Sequence, residues 1–87
     1  MLLEIVTVRL SEGVSKALID RIEDAFRDCI QDTPVQKIGI LVDVETGCDL
    51  AVHMPTDSTD KSAAGLELAS YLSKKGIVNH TVWIQRY

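Results

Sequence analysis

Two alternating runs meet at a glycine-ended loop in the middle of the chain, and they constrain the rest. In "KIGILVDVETGCDLAVHM", Ile38, Ile40, Val42 and Val44 alternate with Lys37, Gly39, Leu41 and Asp43. Cys48, Leu50, Val52 and Met54 alternate with Asp49, Ala51 and His53. Period-two alternation predicts a pair of half-buried strands. The loop Glu45-Thr46-Gly47 suits a type I turn plus a bulge, with Gly47 supplying the left-handed residue. The register this predicts sets Val44 against Cys48, Val42 against Leu50, Ile40 against Val52 and Ile38 against Met54, all on one face. A hairpin with one apolar face must be covered by whatever precedes and follows it.

Both flanks supply a strand and a helix. Residues 2–10 are β-branched and apolar and read as a strand. Ser11 and Glu12 offer a helix start, with Ser11 as the cap. Val14, Leu18, Ile22 and Phe26 recur every four residues, and Ala25, Cys29 and Ile30 widen that apolar stripe. Lys16, Asp20, Glu23, Asp24, Arg27 and Asp28 take the wet side. "DTP" at 32–34 ends the helix, because the residue before proline is pushed from helical angles. After the hairpin, which Pro55 closes, Asp57 and Asp60 imitate a capping box. Ala64, Leu68 and Leu72 form the core stripe of a second helix, with Gly65 and Ala69 permitting close packing and Leu66 and Tyr71 flanking it. Gly76 stops that helix, with Ile77 packing back on its last turn, and "VNHTVWIQR" at 78–86 is the last strand.

The order is βαββαβ. Right-handed crossovers then favour an α+β, two-layer, split-βαβ sandwich of the ferredoxin-like kind. It has four antiparallel strands in the order 4-1-3-2, both helices on one face, and a single domain over 1–87.

Composition narrows the function classes. With 87 residues the chain buries about 60–65% of its unfolded surface. A net charge of −4 opposes binding to nucleic acid, whose affinity comes largely from cations on phosphates, and equally to anionic membranes. "MLLEIVTVRL" lacks a basic leader and Glu4 interrupts its apolar run, so it reads as neither signal peptide nor spanning helix. Two cysteines make no secreted framework, and a cytoplasmic, reduced protein is the simplest reading.

The polar stretch Val42–Met54 holds two aspartates, a glutamate, a cysteine and a histidine, a candidate for metal or catalysis. Strand parity divides it. Cys48 faces the helices, whereas Asp43, Asp49 and His53 face the uncovered side. His53 lies about 13 Å along the strand from Asp49, too far for one ion at ligand distance. The expectation is no metal, no cofactor and no catalytic residue there. Asp43 and Asp49 oppose each other, and Arg9, at the end of strand 1 beside Asp49, is the cation that offsets them. Cys29 and Cys48 lie at opposite ends of the sheet, beyond disulfide reach, and read as small core residues. His80 shares parity with Val78, Val82 and Ile84 and reads as a hydrogen-bonded structural histidine facing the helices.

The uncovered face is the functional candidate. Strand 4 contributes Asn79, Thr81, Trp83, Gln85 and Tyr87, the hairpin contributes Leu41 and Ala51, and strand 1 contributes Leu3, Ile5, Thr7 and Arg9. That parity also turns Glu4 inward, which a bulge would avoid. Contiguous apolar patches mark interfaces or ligand grooves, and aromatic residues favour interface centres. The reading is a non-enzymatic binding or homo-oligomerisation module, a homodimer or a partner to another protein. Its interface is drawn from Trp83, Tyr87, Leu41, Ala51, Ile5, Arg9, Asp49 and His53. The alternative is a small enzyme or ligand-binding domain in which Arg9 takes an anion and Asp49 or His53 moves a proton. A third reading has the acidic first helix meeting a basic partner.

Several families share this layout. "IVTVRLSEGVSKALIDRIEDAFRDCIQDTPVQKIGILV" resembles the βαβ unit of the small tautomerases in length and pattern. Those use an N-terminal proline as base, and here the chain begins Met1-Leu2, so that chemistry is not carried over. Amino-acid-binding ACT domains are similar in layout, with a glycine that Gly13 matches, but their surrounding motif is missing. RNA-recognition domains need aromatics on strands 1 and 3, which are absent here. The acylphosphatase phosphate loop needs an arginine that "LSEGV" lacks.

Overall fold

Six elements follow in the order β1 (Leu2–Leu10), α1 (Lys16–Ile30), β2 (Gly39–Val42), β3 (Asp49–Thr56), α2 (Ala63–Ser73) and β4 (Gly76–Ile84). The structure, a computed structural model, describes residues 2–30, 39–56, 59–84 and 86, with side chains for all of these but 26–30. The strands form one antiparallel sheet in the order β2-β3-β1-β4. That is the α+β, βαββαβ arrangement expected from the alternating and four-residue periodicities.

Alternation sorts most side chains, but Val42 and Ile84, expected to face the helices, are 38% and 59% exposed, each standing at the end of an edge strand. Val6, Val8 and Leu10 of β1 and Leu50, Val52 and Met54 of β3 are buried together with Leu18 and Ile22 of α1 and Leu68 and Leu72 of α2. The hairpin register is as predicted where it is described, with Val42 opposite Leu50 and Ile40 opposite Val52. The Ile38–Met54 pair, the "DTP" helix end, Asp57, and the side chains of Phe26, Cys29 and Ile30 lie outside the described residues.

Several expectations are corrected. Val44 is no strand residue but part of the turn, 97% exposed. Helix α1 starts at Lys16, four positions past Glu12, because Gly13 sits at φ 85° and breaks the backbone direction. The residue that caps its first turn is Ser15, whose Oγ accepts from Leu18 N at 3.1 Å. Ala25 is exposed, and Ile19 packs against the core instead. In α2 the cap is Ser62, whose side chain accepts from Gly65 N, and Leu66 is exposed.

Gly76 opens β4 rather than providing a left-handed stop, and Ile77 points to solvent, 78% exposed. Its lack of a side chain answers a steric need, since a Cβ there would overlap the Arg9 carbonyl oxygen. Strand β3 runs through Pro55, which pairs with Leu3. Glu4 is inward without any bulge, since β1 keeps an unbroken register with both neighbours.

Candidate functional site

The register lays the open face out as four rows across the sheet. At one end Asp43, Asp49, Arg9 and Ile77 stand side by side. Next come Leu41, Ala51, Thr7 and Asn79, then Gly39, His53, Ile5 and Thr81. The last row is Pro55, Leu3 and Trp83. The face is therefore charged at one end and apolar at the other. Leu41 is 56% and Trp83 58% exposed, while Ile5, Ala51, Asp49 and His53 are half-buried by their neighbours. Tyr87 lies outside the described residues.

The charged end is internally satisfied. Arg9 donates from Nε to Asp49 Oδ1 at 2.8 Å and from Nη2 to Asp49 Oδ2 at 3.0 Å, a two-pronged contact. Those hydrogen bonds, with the guanidinium charge behind them, hold the Asp49 carboxyl below its ordinary range, and the same contact raises Arg9. Asp43 turns to the loop instead, accepting from Glu45 N at 2.9 Å and from Thr46 Oγ1 at 3.4 Å. The like-charge pairing seen in the sequence is thus resolved by giving each carboxylate its own donors. Gly47, at φ 66°, donates to the Asp43 carbonyl at 2.9 Å and so closes the turn. Its own carbonyl accepts from Val14 N at 2.7 Å, which ties the β1–α1 connection to the hairpin tip.

Short side chains make the second row a depression. Ala51 and Thr7 form its floor, Leu41 and Ile77 rise on its flanks, and Arg9–Asp49 closes one end, for a volume of about 670 Å³. His53 stands a row beyond and Asp49 a row before, so the two do not converge on one atom. Among the described residues no three of His, Cys, Asp and Glu gather closely enough to hold a metal ion. Cys48 is a half-buried free thiol directed at the Thr46 carbonyl at 3.5 Å. Its position in the turn region leaves it short of full core burial.

At the apolar end the Trp83 indole is fixed in place. Its Nε1 donates to Thr81 Oγ1 at 2.7 Å, so the ring is oriented along β4 before anything touches it.

The opposite face holds a polar cluster in which His80 is the hydrogen-bonded, helix-facing histidine expected, and its partner, which the sequence reading did not identify, is Glu4. Glu4, 1% exposed, accepts from His80 Nε2 at 2.5 Å through Oε2, and from Ser62 N at 3.0 and 3.2 Å. The His80 side chain is itself nearly buried. Gly65 permits the arrangement, since a Cβ there would overlap the Glu4 carboxyl group. The signal was present: Glu4 pairs with Val82 and His80 with Val6, two inward polar residues one step apart on adjacent strands. This cluster anchors the start of α2 to the sheet.

Among the described residues no helix is long and apolar enough to cross a membrane. No protein-family model matches the chain, and no curated protein matches it.

Proposed function

We propose that this chain is a non-enzymatic interaction module that self-associates through its open sheet face. The observation that carries the reading is the exposure of Leu41 and Trp83 on a face whose intervening positions, His53 apart, are short or apolar. An ordered aromatic ring beside aliphatic neighbours is the make-up of an interface centre, and pre-ordering lowers the entropic cost of association. A second copy fits because Arg9 and Asp49 on this face already neutralise each other, leaving Asp43 as the remaining charge in its described rows. The net −4 of the molecule therefore resides mostly elsewhere, and two faces can approach without strong repulsion.

Sedimentation equilibrium tests this. A dimer mass at high micromolar concentration is expected, with Trp83→Ala weakening it by about tenfold or more, as removal of an interface anchor does. A strict monomer removes the reading, and an unchanged dimer in Trp83→Ala moves the interface elsewhere.

The depression beside Arg9 favours a second reading, a site for a small anionic ligand. The two-pronged Asp49 contact stands against it, because an anion must compete with a carboxylate already in place. Titration with small carboxylates and phosphates, followed by the amide signals of Thr7, Arg9 and Asn79, decides it. Unmoved signals end it.

A further inference from the structure

We propose that the outer edge of β4 is a second association surface, on which another copy of this chain adds its own β4 in antiparallel register to make one continuous eight-stranded sheet. The proposal goes beyond the face reading and stands independently of it. It joins two copies side by side and leaves both open faces uncovered.

The starting point is an inversion in how the strands are protected. Natural sheets place charges and prolines on their edges to stop pairing with other chains. Here the two central strands carry them, with Glu4 and Arg9 in β1 and Asp49 and Pro55 in β3. Edge strand β4, "GIVNHTVWI", has no Asp, Glu, Lys, Arg or Pro. Strand β4 also has no bulge to turn it aside, keeping register with β1 from Gly76 to Ile84. Among the described residues no strand lies beyond it.

The strand is complementary to itself. Full antiparallel overlap of its nine residues centres on His80, because positions 76 and 84 are equidistant from it. Ile77 then meets Trp83 of the other copy, Asn79 meets Thr81, Val78 meets Val82, and Gly76 makes room for Ile84. Each pair matches apolar with apolar, polar with polar, or small with large, and each recurs across the two-fold axis, as a symmetric contact requires. Ile77, Trp83 and Ile84 are all exposed in the single chain. A strand without charge brings none of the net −4 of either copy to the contact, which favours a second copy over a basic or acidic partner.

Residue-resolved amide exchange on the natural chain tests the edge directly. Half of the β4 amides point to β1 and are protected at any concentration. The alternate ones point outward, and they should slow by about tenfold or more between dilute and concentrated samples as mass action fills the dimer. If they exchange as freely in an associated sample as in a dilute one, the edge proposal is overturned and the face reading stands. The Leu41→Lys variant separates the two further: it abolishes face packing but leaves the concentration-dependent β4 protection, and its loss there overturns the edge.

Cross-linking gives a distance. In a Cys29→Ser, Cys48→Ser background, chains bearing Asn79→Cys are mixed with chains bearing Thr81→Cys and oxidised. Directly opposed residues lie about 4.5–5.5 Å apart at Cα, within disulfide reach, whereas packed sheet faces lie about 10 Å apart. A disulfide-linked dimer forming in the mixture, and not in either variant alone, is expected. No cross-link in the mixture overturns the register.

Discussion

At Gly65 two preferences oppose each other. Alanine is the better helix former by about 1 kcal/mol, yet its Cβ would overlap the Glu4 carboxyl group under the first turn of α2. Overpacking should win, so Gly65→Ala is expected to destabilise by about 1–3 kcal/mol in urea unfolding. Glu4→Ala should cost about 1–3 kcal/mol as well, because His80 and the Ser62 N–H lose their acceptor. The double variant should fall well short of the sum, since the carboxyl group that the new methyl strikes is gone. Glu4 is also where reading the sequence stopped short. A lone acidic residue in an apolar strand reads as a disruption until its inward partner is known, and that partner lies 76 positions away. Asp49 behaves differently, as a half-buried residue of the open face with a legible partner. Because folding lowers its pKa, what its contact contributes is fully present above about pH 4 and is lost as pH falls through the folded value. Arg9→Ala should return the Asp49 carboxyl carbon titration, followed by NMR, to the ordinary carboxylate range. An unmoved midpoint would sever the two residues.

At the scale of elements, the strands were readable because alternation is local. Val6, Val8, Leu50 and Val52 declare their side without reference to anything distant, and the β2–β3 register followed from one glycine-ended turn. Gly47→Ala should therefore cost about 1–2 kcal/mol, the penalty for a side chain in the left-handed region, and should lower hairpin amide protection. Helix starts were read less well. Ser11, Ser15, Asp57, Asp60 and Ser62 are all competent caps, and only the path of the chain chooses among them. For α2 the choice falls on Ser62 because its N–H also donates to Glu4. Ser62→Ala keeps that backbone contact and loses only the side-chain acceptor, so about 0.5–2 kcal/mol is expected in thermal or urea unfolding. The role of Gly76 was hidden for a related reason, as nothing in "SKKGIV" reveals that the backbone of β1 passes against it.

At the scale of the molecule, the candidate surfaces follow from how four strands share two faces and two edges. The open face could be assembled from parity alone, and its rows required only the strand order. The depression could not, because it depends on how tall each neighbour stands around Ala51 and Thr7. If both surfaces operate, β4 serves two contacts at once, and dimers sharing an edge can stack through their faces. Concentrated Leu41→Lys should then stop at a dimer where the natural chain proceeds to a tetramer, as sedimentation would read. The Glu4 cluster sets an order on the making of this molecule. Its acceptor is translated first, its helix donor 58 residues later and its imidazole after 76. A growing chain thus carries a carboxyl group that lacks its imidazole partner until β4 has left the ribosome, and an early stop before His80 leaves that group with the Ser62 amide alone.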